Sequence, residues 1–247
     1  MDSTTDEMDR IQCFATQMPV IELVTSSGLG SLLGMRHALE PDHLAAVSTL
    51  VTGERSTAKA ALLGACWGLG HTFSLVVVGT VLVVLRAEMP SRAADLFELG
   101  VALMLVGLGL RAMYVAARQG PSGPVHAHAH RGRLHVHPGA PAHIHIGAWT
   151  LARRPLLVGA VHGLAGSGAL TALVLATLPT PSARLIYMAL FGLGSTIGMA
   201  ALSGVLGWPL ARVGRHRALA RAVSLTVGCV STLLGIAWGY PLLARVF

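Results

Sequence analysis

The chain has 247 residues, of which 53% are hydrophobic and only 12% charged, with a formal net charge of +7. A water-soluble domain carries about 25% charged residues, so this deficit excludes a chain whose surface lies mostly in water. The positive balance does not point to nucleic acid, because the arginines lie in short stretches between apolar runs, as membrane topology requires.

Residues 1–19 read as an acidic tail (Asp2, Asp6, Glu7, Asp9) without the basic start and apolar middle of a signal peptide. A membrane-crossing helix needs about 20 mostly apolar residues. Six runs qualify, at 20–51, 60–85, 95–117, 155–178, 184–210 and 222–245. The predicted fold class is therefore all-α integral membrane, with about six transmembrane helices. The first run is interrupted by Glu40-Pro41-Asp42. Proline lacks an N–H and biases the preceding residue away from helix, which predicts a broken first helix.

Assigning the loops to alternate sides puts eleven basic residues on one side, from Arg55 and Lys59 to Arg217 and Arg221. Five lie on the other: Arg10, Arg86, Arg92, Arg184 and Arg245. The richer side is cytoplasmic by the positive-inside rule, which turns both termini outward. All eleven acidic residues lie at or before Glu98, so any carboxylate chemistry belongs to the first half. Cys66 and Cys229 fall in apolar runs and Cys13 in the tail, with no Cys-x-x-Cys. This pattern indicates neither a disulfide framework nor a thiolate metal site.

The two halves repeat. Gly34-Met-Arg-His37-Ala-Leu39 matches Gly159-Ala-Val-His162-Gly-Leu164, and Trp67-Gly-Leu-Gly-His71-Thr72 matches Phe191-Gly-Leu-Gly-Ser195-Thr196. Gly100 and Gly107 match Gly228 and Gly235, so the offsets are 125, 124 and 128 residues. Each repeat holds three spans, an odd number, which places the halves in opposite orientations, a recurring transporter design. The expected organisation is a tail at 1–19, a first three-helix repeat at 20–117, a histidine-rich cytoplasmic loop at 118–154 and a second repeat at 155–247.

Polar ionisable groups at membrane depth are costly and usually face the bundle interior or a water-filled path. Four histidines fall within the spans: His37, His43, His71 and His162. His216 sits among arginines and is expected in a solvated loop. On an unbroken helix His37 and His43 would lie about 600° apart and not share a face. A break at Pro41 lets Asp42 and His43 turn back toward His37. Imidazoles with one carboxylate suit a borderline divalent metal such as nickel, cobalt, zinc or copper. Asp42 either binds the metal or holds a histidine in the right tautomer. His71 is expected to be a third ligand or a relay. His162, the repeat mate of His37, either lines the path or satisfies a helix contact. Ser167, Ser195 and Thr196 are lesser candidates, and Met35 and Met199 are expected to be packing residues.

The segment 119–147 carries seven more histidines: His126, His128, His130, His135, His137, His143 and His145. Their alternation with small or apolar residues suits a weak, exchangeable metal buffer rather than a closed structural site.

The run Arg36-His37-Ala-Leu-Glu-Pro-Asp42-His43, a His-x4-Asp-His pattern, resembles the signature of the nickel/cobalt transporter (NiCoT) family, and Leu69-Gly70-His71-Thr72 resembles that family's next signature. The resemblance implies that His37, Asp42, His43 and His71 recognise the metal, and it ranks nickel and cobalt above zinc. The chain departs from the family in starting at the signature helix and in lacking acidic residues in the second half. In this it looks like the short branch of urease-accessory-type membrane proteins. No phosphate-binding loop and no His-Glu-x-x-His motif is present, so neither an ATP-driven pump nor an enzyme is expected. The expected function is a secondary permease for Ni2+ or Co2+ in the cytoplasmic membrane, with no permanently bound cofactor. The alternatives are an efflux carrier and a membrane-bound metal-delivery factor. The expected partners are membrane lipid, the divalent ion, and a metallochaperone or urease/hydrogenase maturation proteins, with no nucleic acid.

Overall fold

The structure, a computed structural model, describes the backbone of residues 28–52, 54, 56–118, 126–130, 133–137, 143–146, 149–178, 180–213 and 216–247. The side chains of 126–152 and of several residues between 167 and 177, Ser167 among them, lie outside the description. So does the tail at 1–19.

Helix α1 covers 28–37 and α2 is Pro41–Val51. They are followed by α3 Thr57–Leu85, α4 Ser91–Arg118, α5 Arg153–Thr177, α6 Pro181–Val213 and α7 Arg217–Val246. The predicted break is present: three residues of turn separate α1 from α2. The later helices overrun the predicted apolar runs by a few residues at most ends. Twenty residues match the hydrocarbon core alone, whereas a helix of 29 residues is about 44 Å long and also crosses the headgroup layers.

Four helices drawn from the described residues are long and apolar enough to cross a membrane: α3, α4, α6 and α7 from Ala218, with mean hydropathy from 2.0 down to 1.7. Their outward faces carry large apolar side chains, including Phe73, Val84, Val205 and Leu233. Water would not tolerate so broad an apolar surface; lipid does. The chain is a multi-pass membrane protein. Between α4 and α5 the backbone forms two short antiparallel hairpins, β1 His126–His130 with β2 Arg133–His137, and β3 His143–Ile146 with β4 Trp149–Ala152. This segment, expected as a loop, therefore carries regular structure of its own.

Helix α3 packs against both α5 and α6, and α4 packs against α7. The closest approaches fall at matched positions of the two halves. A Cβ on Gly34 of α1 would strike the carbonyl of Phe191 on α6, and one on Gly159 of α5 would strike the carbonyl of Trp67 on α3. Gly34 is the repeat mate of Gly159, and Phe191 that of Trp67. Between α3 and α6, a Cβ on Gly68 would meet the backbone of Thr196, and one on Gly192 would meet the Thr72 side chain. Thr72 and Thr196, also mates, meet each other at 2.9 Å between hydroxyl oxygens. Small residues let helix backbones touch, which is how helices associate where lipid removes the hydrophobic drive.

Two apolar clusters flank the centre. One gathers Ala46, Val47, Val51, Trp67, Leu105 and Met199. The other gathers Leu75, Val174, Tyr187, Met188 and Phe191.

Candidate metal centre

The site begins at the break. Leu39 and Glu40 donate their N–H groups to the carbonyls of Arg36 and His37, at 2.9 and 3.0 Å, tightening the end of α1. Glu40 is extended, with ψ of 149°, as the residue before a proline must be. Pro41 then opens α2 at a position where no N–H is needed. His37 thus closes one helix while Asp42 and His43 occupy the first turn of the next. The imidazoles of His37 and His43 come to 4.4 Å between ring centroids.

Helices α3 and α5 complete the cluster. Nε2 of His37 lies 3.4 Å from Nε2 of His71. His162 sits beside His43, with ring centroids 4.1 Å apart. Asp42 joins the two: one carboxylate oxygen accepts from the His43 backbone N–H at 2.9 Å and lies 3.0 Å from His43 Nδ1. The other oxygen lies 2.8 Å from His162 Nε2. The structure therefore brings together all five intramembrane residues singled out in the sequence, from four helices. His43, His71 and His162 are buried, and Asp42 is the one buried carboxylate among the described residues.

Three buried imidazole nitrogens have no hydrogen-bond partner among the described residues: His43 Nε2, His71 Nδ1 and His162 Nδ1. Buried polar atoms are nearly always paired, so three lone cases in one cluster call for an explanation. Imidazole lone pairs beside a carboxylate form the donor set that borderline dications prefer. The lining around the cluster is apolar and aromatic. Trp67 stands 5.4 Å from His43 and 5.7 Å from His162, ring to ring, and Phe191 stands 5.4 Å from His37. The histidines thus lie between the two apolar clusters.

Four contributors were not among the predicted site residues. Glu40 faces His37 Nδ1 at 2.9 Å from the exposed side. Trp67 and Phe191 are the aromatic walls, and the signal for them was present: they are the leading residues of the matched Trp/Phe-Gly-Leu-Gly segments. Gly166 leaves room beside His37, since a Cβ there would lie 3.8 Å from His37 Nε2. Of the lesser candidates, Ser195 is buried with its hydroxyl unpaired, and Thr196 is spent on Thr72 and the Gly192 carbonyl. Met199 is buried in the first apolar cluster. His216 is exposed at the start of α7. The seven histidines of 126–145 lie on the hairpins, and their side chains are outside the description.

Residues 23–237 match the NicO family, described as high-affinity nickel-transport protein. The chain is 31% identical over 225 residues to the urease accessory protein UreH of Bacillus sp. (strain TB-90), covering 91% of this chain and 95% of that one. It is also 28% identical over 192 residues to the chloroplast protein FOR GROWTH AND FERTILITY 1 of Arabidopsis thaliana, covering 74% of this chain and 50% of the plant protein. No solved structure matches the chain. A match that runs from ahead of the broken helix into α7 takes in most of the helical body, and the chain belongs to the NicO family of high-affinity nickel-transport proteins.

Proposed function

We propose that this chain is a secondary permease that carries Ni2+ or Co2+ inward across the cytoplasmic membrane. The observation that carries the proposal is the convergence of His37, Asp42, His43, His71 and His162 from four helices on one buried, apolar-walled cluster. A dication that sheds water inside a membrane needs several neutral donors and an anion to replace its hydration. Three or four imidazoles and the Asp42 carboxylate meet that need. The family's description puts nickel first, and the resemblance of the His37–His43 and Leu69–Thr72 segments to the NiCoT signatures adds cobalt.

In this proposal the α1–α2 pair and α5 fill the first and fourth of six spans, and the halves form two inverted repeats. The matched contacts of Gly34 with Phe191 and of Gly159 with Trp67 support it, because related contacts recur at related positions. Rocking of one repeat against the other opens the cluster alternately to each side. The excess of arginine supports a cytoplasmic position for the 118–154 segment, where in this proposal its histidines buffer arriving metal before a maturation protein takes it.

Uptake of radiolabelled nickel into liposomes holding the purified chain tests the proposal, with cobalt and zinc as competitors. Wild-type protein is expected to accumulate nickel, and His37→Ala and His43→Ala to lower the rate by about a hundredfold or more while still inserting normally. Wild-type flux in both variants would reject this site. The likeness to a urease accessory protein favours a second reading, in which the chain delivers metal without moving it across the membrane. Metal binding without flux in the same liposomes would select it.

A further inference from the structure

The donors of the cluster divide into two groups. His37, His43 and His71 bring ligand atoms within 4.8 Å of one another, and so do Asp42, His43 and His162. Only His43 belongs to both.

The groups differ in origin. The first comes wholly from the first half of the chain, from α1, α2 and α3. The second joins α2 to α5 and so ties the two halves together. His37 keeps 16% of its side chain exposed, whereas His43 and His162 keep 1% and 3%. Asp42 keeps 12%, so each group has one partly open member, His37 or Asp42, and the division rests on origin.

The donor geometry fits the division. His37 Nε2 and His71 Nε2 lie 3.4 Å apart. That is about the edge of a tetrahedron of imidazole nitrogens at bond lengths of about 2.1 Å. In the second group the Asp42 oxygens already hold His43 and His162, at 3.0 and 2.8 Å. A histidine kept only to orient Asp42 would normally have its other nitrogen satisfied as well. His162 Nδ1 is instead buried without a partner. Two dications so close in a poorly polarisable interior would repel strongly, so one excludes the other.

We propose that a single dication occupies these two positions in turn, exchanging His37 and His71 for Asp42 and His162 while His43 serves both. His162 is then the receiving ligand supplied by the second half. This rests on the permease proposal, because the exchange is one step of a crossing.

The test uses the full chain with Co2+ as probe, whose visible absorption reports the ligand set. The seven histidines of 126–145 are changed to asparagine throughout, so that the segment proposed as a metal buffer takes no Co2+, and this parent, the wild type of the comparisons below, is expected to bind one Co2+ per chain. His162→Gln keeps an N–H for Asp42 but supplies no imidazole. It should still bind one Co2+ within about threefold of wild-type affinity, yet lose about tenfold or more of the flux. His71→Gln should bind one Co2+ with a different spectrum, and the wild-type spectrum should be a mixture of the two. Two Co2+ per chain, wild-type flux in His162→Gln, or loss of binding in His162→Gln as complete as in His43→Ala would each overturn the inference. X-ray absorption on the same parent with one equivalent of Ni2+ decides without any substitution in the cluster. At most three imidazoles at the metal support two positions, and four at one ion reject them. If wild-type liposomes take up no metal, the permease proposal fails, and the spectra and imidazole count still decide on the two positions.

Discussion

Asp42 accepts three contacts at the centre of the cluster, from the His43 backbone, the His43 ring and His162. Asp42→Asn preserves the shape, but it removes the charge and turns one acceptor into a donor. Metal affinity is expected to fall by about ten- to a hundredfold, the usual cost of losing a carboxylate that orients or joins metal ligands. Glu40 also faces a histidine, but its side chain is 52% exposed. Solvent screens such a contact, and Glu40→Gln is expected to change affinity by no more than about threefold. Equilibrium dialysis against Ni2+ compares the two, and an equal loss in both would reject the distinction drawn between them. The identity of the five clustered residues was legible in the sequence, because an ionisable side chain at membrane depth is conspicuous. Their wiring was not. Nothing in the spacing says that Asp42 reaches His162, since that contact spans 120 positions and depends on how α5 docks on α3.

At the scale of helices, the break was legible for a simple reason. Pro41 and the residue before it obey backbone rules that need no tertiary context. The hairpins were harder to see. Alternation such as His-Ala-His-Ala-His has the period of a strand, yet the same run equally suits an unstructured metal buffer. Glycines divide into those in tight crossings and those in open space, and only the structure sorts them. Gly34 sits against the Phe191 carbonyl, whereas Gly100 has nothing within 4 Å of where a Cβ would be. Gly34→Ala should force α1 away from α6 and cost about 1–3 kcal/mol or more. Gly100→Ala should be neutral or stabilise α4 by up to about 1 kcal/mol. Thermal unfolding of the two variants in detergent, compared with the parent, reads both signs. A Gly34→Ala variant as stable as the parent would show that the α1–α6 crossing is not tight.

At the scale of the whole chain, the offsets between matched segments led to the expectation of two related halves. They could not reveal that α3 packs on α6 and α4 on α7, because pairing across halves is a property of the assembled bundle. The proposed topology makes a prediction that needs no metal. With Cys13, Cys66 and Cys229 replaced by alanine, a single cysteine is placed either at Ser122 or at Phe247, which is 94% exposed. A membrane-impermeant maleimide should label Phe247→Cys in intact cells and Ser122→Cys only after the membrane is opened. The reverse pattern would invert the protein and, with it, the assignment of the 118–154 segment to the cytoplasm.

The placement of Trp67 against His43 and His162 gives the molecule its own optical gauge. Open-shell ions such as Ni2+ and Co2+ quench indole emission at contact range, whereas closed-shell Zn2+ does not. In a variant with Trp149, Trp208 and Trp238 changed to phenylalanine, the remaining emission should dim as nickel arrives and recover as it leaves. Each passage of an ion would then be visible in real time, from a fluorophore encoded in the chain itself.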